Sequence, residues 1–126
     1  MTVFIIDDDG DDTAIFCEAL RDVAPDTFCL VAHSGESALR QLVEATSIPE
    51  FIFLDANMTT MSGKECLIAL RSIQRLAGVK IIIYSGSVTE VMKQEFKSLG
   101  AYDSFAKPSS FYDLCDRLKK YLQKEA

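Results

Sequence analysis

Five short apolar runs punctuate the chain: VFII at 3–6, FCLVA at 28–32, FIFL at 51–54, IIIY at 81–84 and a weaker SFA at 104–106. Each is rich in β-branched or aromatic residues and bounded by polar ones, the pattern of a strand. The stretches between them repeat at helical spacing. Ile15, Phe16, Ala19, Leu20 and Val23 define a first helix that must stop before Pro25, because proline disfavours helical backbone at Ala24. Ser62 with Glu65, and Ser87 with Glu90, have the S-x-x-E form of a capping box and predict the starts of the third and fourth helices. A last helix begins near Ser109 or Ser110, carries Leu114, Leu118, Tyr121 and Leu122 on one face, and its charged end runs out with the chain.

Strands that alternate with helices pair in parallel through right-handed crossovers, so the expected fold is α/β with an open sheet covered on both faces. The unbroken apolar character of the runs agrees, since strands buried on both faces do not alternate. With the first and third strands as central neighbours, this is a flavodoxin-like (βα)5 fold of strand order 2-1-3-4-5. The 126 residues suit one domain spanning 1–126, with no repeat, linker or room for a separate output domain.

Composition narrows the function. Hydrophobic residues make up 48% and charged ones 25%, a globular balance, and the formal net charge of -6 argues against a nucleic-acid partner, which needs a basic face. The cysteines, Cys17, Cys29, Cys66 and Cys115, show no C-x-x-C pair and no zinc spacing, so they are expected to be reduced core or near-core residues. No basic leader and no apolar run near the roughly 18 residues of a membrane span is present, which predicts a cytoplasmic protein with no membrane insertion.

In an open α/β sheet the functional crevice lies at the C-terminal ends of the strands. The first strand is followed by Asp7 and Asp8, the third by Asp55, the fourth by Ser85, and the fifth by Lys107 and Pro108. His33 follows the second and reads as a loop residue, while Asp9, Asp11 and Asp12 read as solvated charges at a helix start. If the first and third strands are neighbours, Asp7, Asp8 and Asp55 converge, and such carboxylates repel unless a cation lies among them. A hard-oxygen cluster suits Mg²⁺, which favours octahedral oxygen ligands at about 2.1 Å.

In this order and at these strand exits, the residues make the chain resemble the receiver domain of two-component response regulators, the CheY-like group. The resemblance implies that Asp7 and Asp8 bind Mg²⁺ together with Asp55 and the backbone carbonyl of Asn57. It implies that Asp55, in FIFLDANMTTMSG, accepts phosphate from a sensor histidine kinase or a histidine phosphotransfer protein. Ser85, in IIIYSGS, would contact the phosphoryl group, and Lys107, in AKP, would pair with Asp55 and later with a phosphoryl oxygen. An aspartate with an unperturbed pKa of about 3.9 is already ionised at neutral pH and needs no general base. Phosphorylation would shift the population of the Ser85 loop and of the face around the fourth helix, fifth strand and fifth helix, so that a downstream protein target reads the change. The protein would then be a phosphoacceptor, with self-phosphorylation and autodephosphorylation as its only reactions.

Two positions depart from the family pattern and two others bear on phosphate lifetime. Thr59 stands where proline is usual, which removes a rigid residue and adds a backbone donor. Ser104 stands where the family carries a switching aromatic; Phe105 should face the other side of the sheet, leaving Tyr102 or Tyr84 as substitutes. Asn57 and Ser87 occupy positions that in the family tune how long the phosphate survives.

Rival readings exist. Asp7-Asp8-Asp9-Gly10 fits the D-x-D-G start of haloacid-dehalogenase-like phosphatases, with Asp7 as nucleophile and Asp9 as acid/base, but Asp55 would then have no role. Asp7, Asp9, Asp11 and Glu18 match ligand positions of an EF-hand loop, yet Asp12 occupies the place of its obligatory glycine. A degenerate receiver that binds partners without phosphorylation is a third possibility.

Overall fold

The computed structural model describes residues 1–123. Its elements run β1 (Thr2–Ile6), α1 (Gly10–Val23), β2 (Phe28–Ala32), α2 (Gly35–Glu44), β3 (Phe51–Asp55), α3 (Gly63–Arg71), β4 (Lys80–Ser85), α4 (Glu90–Ser98), β5 (Asp103–Ala106) and α5 (Phe111–Gln123), with a short 3-10 turn at Gln74–Leu76. All strand pairs are parallel and the order is β2-β1-β3-β4-β5, the expected flavodoxin-like arrangement. The charged end of the chain, 124–126, lies outside the described residues.

The unbroken apolar strands bury both of their faces, as two separate cores show. Phe4, Ile6, Ile52, Leu54, Ile81 and Ile83 pack under α2, α3 and α4. Their alternating neighbours Val3, Ile5, Phe51, Phe53, Ile82 and Tyr84 pack under α1 and α5. Each fully buried side chain of this size contributes roughly 1.5–3 kcal/mol, so the two layers hold β1, β3 and β4 rigidly in register. β2 is an edge strand, and its Phe28 and Leu30 remain exposed.

Local signals set the helix ends. Asp9 caps α1 by accepting from the backbone N–H groups of Asp11 and Asp12, and the helix ends at Ala24, before Pro25. The capping box of Ser62 and Glu65 opens α3 as expected. Ser110 accepts from the Asp113 N–H at the start of α5. For α4 the expected box does not form: the cap is Thr89, whose hydroxyl accepts from the Met92 N–H at 3.1 Å. Thr89 lies two residues beyond Ser87, so Glu90 becomes the first helical residue and its charge still faces the positive end of the helix.

The cysteines need a correction. Cys66 and Cys115 are free and buried, as expected, but Cys17 of α1 and Cys29 of β2 are joined by a disulfide, with Cα atoms 6.0 Å apart. The pairing is illegible in the sequence because it arises from packing of α1 against the edge strand, not from a spacing motif. Cross-linking positions 12 residues apart restricts the unfolded chain by about 2–3 kcal/mol. Reduction, or Cys17→Ser, should therefore lower Tm by on the order of 5–10 °C, measured by thermal unfolding with and without reductant.

Candidate functional site

Register brings the strand exits together. Ile6 pairs with Leu54, so Asp7 emerges beside Asp55, the last residue of β3. Asp55 in turn pairs with Tyr84, and Ser85 with Ala106, which places Lys107 one residue beyond the sheet at the same end. Oxygens of Asp7, Asp8 and Asp55 all lie within 4.8 Å of one another. The loop after Asp55 is held down where α3 begins: a Cβ on Gly63 would stand 2.5 Å from the Asp55 carbonyl oxygen and from the Ala56 Cα. Only glycine permits that approach, and the Gly63 N–H donates to the Ala56 carbonyl at 3.0 Å.

The three carboxylates differ in environment. Asp7 is fully buried; its Oδ1 accepts from the Asp9 N–H at 3.0 Å and its Oδ2 from the Tyr84 hydroxyl at 2.6 Å. Asp8 is exposed, and its Oδ2 accepts from the Thr59 N–H at 3.0 Å and the Thr59 hydroxyl at 3.3 Å. A proline at Thr59 could supply neither donor. Asp55 is 4% exposed and accepts from the Asn57 N–H at 3.0 Å, which keeps the backbone of Asn57 beside the cluster. The Asn57 side-chain amide donates to the Ser85 hydroxyl at 2.9 Å.

Lys107 stands against all of this negative charge. Its Nζ lies 2.8 Å from Asp12, 3.2 Å from Asp7 and 3.4 Å from Asp55. Its shortest partner is thus Asp12, read from sequence as a solvated charge, and not Asp55. The first turn of α1 swings Asp12 toward the end of β5, a neighbour that no local pattern announces. Burial weakens the Lys107 ammonium, but Asp12, Asp55 and Asp7 outweigh it and hold the pKa above its ordinary value.

The same field splits the carboxylates. Burial pushes Asp55 upward, the Asn57 N–H opposes it, and Asp7 adds to it, leaving Asp55 raised from 3.8 to about 6. Burial also acts against the charged form of Asp7, but donation from Tyr84 and Asp9, together with Asp55 and Lys107, holds its pKa below the ordinary value. Tyr84 is raised well above its usual range by burial and by the Asp7 carboxylate it serves, so it remains a protonated donor. One lysine is too little for three carboxylates, and an all-oxygen donor set at the mouth of the sheet fits a divalent cation.

Asp7, Asp8, Asp55, Ser85, Asn57 and Lys107 therefore meet at one end of the sheet. His33 is exposed, its Nδ1 3.2 Å from the Asp7 carbonyl oxygen, in keeping with a loop role. Sequence reasoning missed Asp12 as a member of the site, and it offered Tyr84 as a substitute switching aromatic and not as a donor to Asp7. Neither proposed substitute for the missing aromatic presents its ring to Ser85. Tyr84 faces the α1 and α5 layer, where its ring packs with Phe16 and Phe105, and Tyr102 precedes β5 at the opposite end of the strand, under Lys80. Phe105 faces away from Ser104, as strand alternation predicts.

Two of the rival readings lose their footing here. Asp9, the required acid/base of a phosphatase, is committed to capping α1, and that scheme leaves the buried Asp55 without a role. The EF-hand fails because α1 starts at Gly10, in the middle of the would-be loop.

Comparison with known proteins agrees with this geometry. Residues 3–119 match the family described as response regulator receiver domain. Sporulation initiation phosphotransferase F of Bacillus subtilis (strain 168) is 35% identical over 74 residues, covering 59% of this chain and 58% of that protein. The protein-glutamate methylesterase/protein-glutamine glutaminase of Desulfotalea psychrophila is 31% identical over 108 residues, covering 86% of this chain but 29% of that protein. The chain thus spans less than two thirds of the length of either curated relative. Among solved structures, the chemotaxis protein CheY4 of Vibrio cholerae superposes with a TM-score of 0.83 at 26% identity, covering 96% of this chain and 98% of that one. A phosphorylated cyanobacterial phytochrome response regulator, RcpA, gives a TM-score of 0.86 at 20% identity over 99% and 95% of the two chains, a likeness of fold.

The raised Asp55 pKa carries a stability consequence. Between pH 3.8 and about 6 the folded protein keeps a proton on Asp55 that the unfolded chain has lost, so stability falls as pH rises through that window and stays lower above it. Asp55→Asn removes this effect while Asp7 remains common to both proteins. The variant should be more stable by up to about 3 kcal/mol at pH 7.5 in chelator, with the gap closing toward pH 4. Urea unfolding across that pH range measures it, and added Mg²⁺ should narrow the gap at neutral pH.

Proposed function

The chain belongs to the response regulator receiver family, and from that premise we propose that Asp55 is its phosphoacceptor, fed by a histidine kinase or a histidine phosphotransfer protein. The observation that carries the reading is the meeting of Asp7, Asp8, Asp55 and the Lys107 ammonium at one end of the sheet. A receiver of this family takes phosphate in two-component signalling and is a phosphoacceptor, not a turnover enzyme. Among the described residues no helix is long and apolar enough to cross a membrane.

The chemistry follows from charge and position. With its pKa near 6, Asp55 is mostly ionised at neutral pH and serves as a nucleophile without a general base. One carboxylate oxygen forms a bond to phosphorus as the phosphorus–nitrogen bond of a phosphohistidine breaks, and the imidazole leaves with the electron pair. The main obstacle is repulsion between the carboxylate and the phosphoryl oxygens. Lys107, 3.4 Å from Asp55, offsets part of it. Asp7, Asp8, Asp55 and the Asn57 carbonyl would hold Mg²⁺, which when bound supplies the remaining charge cancellation. Ser85 accepts from the Asn57 amide, which leaves its hydroxyl proton free to be donated to a phosphoryl oxygen. That added bond gives the modification a differential grip on the loop between β4 and α4, and through it on the α4, β5 and α5 face that a downstream protein would read.

Incubation with acetyl phosphate and Mg²⁺, followed by peptide mapping, tests the assignment. The expected result is one phosphoryl group on the peptide that contains Asp55, abolished in Asp55→Ala and by chelator. Labelling on another residue, or none, would overturn it. Lys107→Ala should keep part of the labelling while the amide chemical shifts around Ser85 and α4 respond much less than in the unmodified protein.

A further inference from the structure

Tyr84 and Ser85 are successive residues of one strand and so face opposite sides of the sheet. Ser85 turns to the carboxylate cluster. Tyr84 reaches the same cluster from underneath. Its ring is 5% exposed, packed 6.3 Å from Phe16 and 6.0 Å from Phe105, both in stacked orientation. Lys107 Nζ stands 4.9 Å from the ring centroid. A ring anchored on three sides has little freedom to swing, so its hydroxyl is delivered to one place, 2.6 Å from Asp7 Oδ2. A neutral donor to a carboxylate makes a short, strong hydrogen bond without adding charge.

We propose that Tyr84 is a positioning residue that tunes the cation site: its hydroxyl holds Asp7 Oδ2 and draws electron density from it, thereby lowering the affinity of the carboxylate cluster for a divalent ion. This rests on the reading of Asp7, Asp8 and Asp55 as that site. With Asp9 N–H on Oδ1 and Tyr84 with Lys107 on Oδ2, the protein itself already serves both oxygens of Asp7. The phenol and a cation then compete for the same electron density. The phenol eases the crowding of charge in the metal-free protein and so weakens the pull on an incoming ion. A tyrosine in this place lets the cluster fold without its ion and release the ion readily.

Tyr84→Phe keeps the stacked ring and removes only the donor. By chemical-shift titration the variant should bind Mg²⁺ roughly three- to tenfold more tightly than the unmodified protein, a fraction of what one charged hydrogen bond is worth. Its melting temperature should fall in chelator and recover toward the unmodified value in saturating Mg²⁺. A purely structural role for the hydroxyl would lower it equally in both conditions. The unmodified protein offers a check that does not depend on the variant. The Tyr84 hydroxyl proton should exchange slowly, and its resonance should move during the Mg²⁺ titration with the same Kd as the amides around Asp55. An affinity for Mg²⁺ that Tyr84→Phe leaves within twofold or weakens, or a hydroxyl resonance indifferent to Mg²⁺, overturns the proposal alone. Absence of Mg²⁺ binding by the unmodified protein overturns the cation-site reading together with it.

Discussion

The structure turns on the mutual repulsion of carboxylates that the sheet forces together. Asp7 and Asp55 leave adjacent parallel strands at the same level, and neither can retreat into solvent, being 0% and 4% exposed. Coulomb repulsion between two such groups in a partly dry site amounts to several kcal/mol, comparable with the whole stability of a small domain. The molecule disperses it in three ways. Lys107 bridges Asp7, Asp12 and Asp55, backbone and phenol donors hold Asp7 in its charged form, and Asp55 retains affinity for a proton to about pH 6. The residue left least satisfied, Asp55, is the one at which an electrophile or a cation gains most.

Such a cluster needs a scaffold stiff enough to hold it. Two apolar layers clamp β1, β3 and β4 from both sides, so the exits of these strands cannot spread apart to relieve the repulsion. The Gly63 contact pins the loop after Asp55 onto the strand end that bears it. The Cys17–Cys29 bond ties α1, and with it the Asp9 cap and Asp12, to the edge strand. Rigidity from packing and reactivity from charge are therefore parts of one arrangement.

Much of this was legible because the chemistry sits where chain direction changes. A reader who finds VFII ending at Asp7 and FIFL ending at Asp55 needs only the topology to bring the two aspartates together, and the alternation of strands and helices supplies that topology. Lys107 and Ser85 follow by the same rule. What stayed hidden depends on contacts between residues remote in sequence. Nothing local marks Tyr84 as different from the isoleucines before it, since its hydroxyl finds Asp7 across 77 positions. Asp12 reaches Lys107 across 95. The disulfide arises from helix-on-strand packing, and the cap of α4 from a choice between Ser87 and Thr89 that a four-residue motif cannot settle. Thr59 is intermediate: its sequence announces an added backbone donor, and the fold reveals Asp8 as the acceptor.

The end of β4 joins these strands of argument. Ser85 and Tyr84 share a peptide bond yet serve opposite faces, one toward Asn57 and the mouth of the site, the other toward Asp7 and the core beneath α1 and α5. The carbonyl of Tyr84 accepts from the Ala56 N–H at 3.0 Å, so this one residue also holds the backbone that follows Asp55. Displacement of Ser85 would act on a neighbour tied to Asp7 through its hydroxyl and to the backbone after Asp55 through its carbonyl. These ties are set by the register of β3 against β4, in which Asp55 pairs with Tyr84.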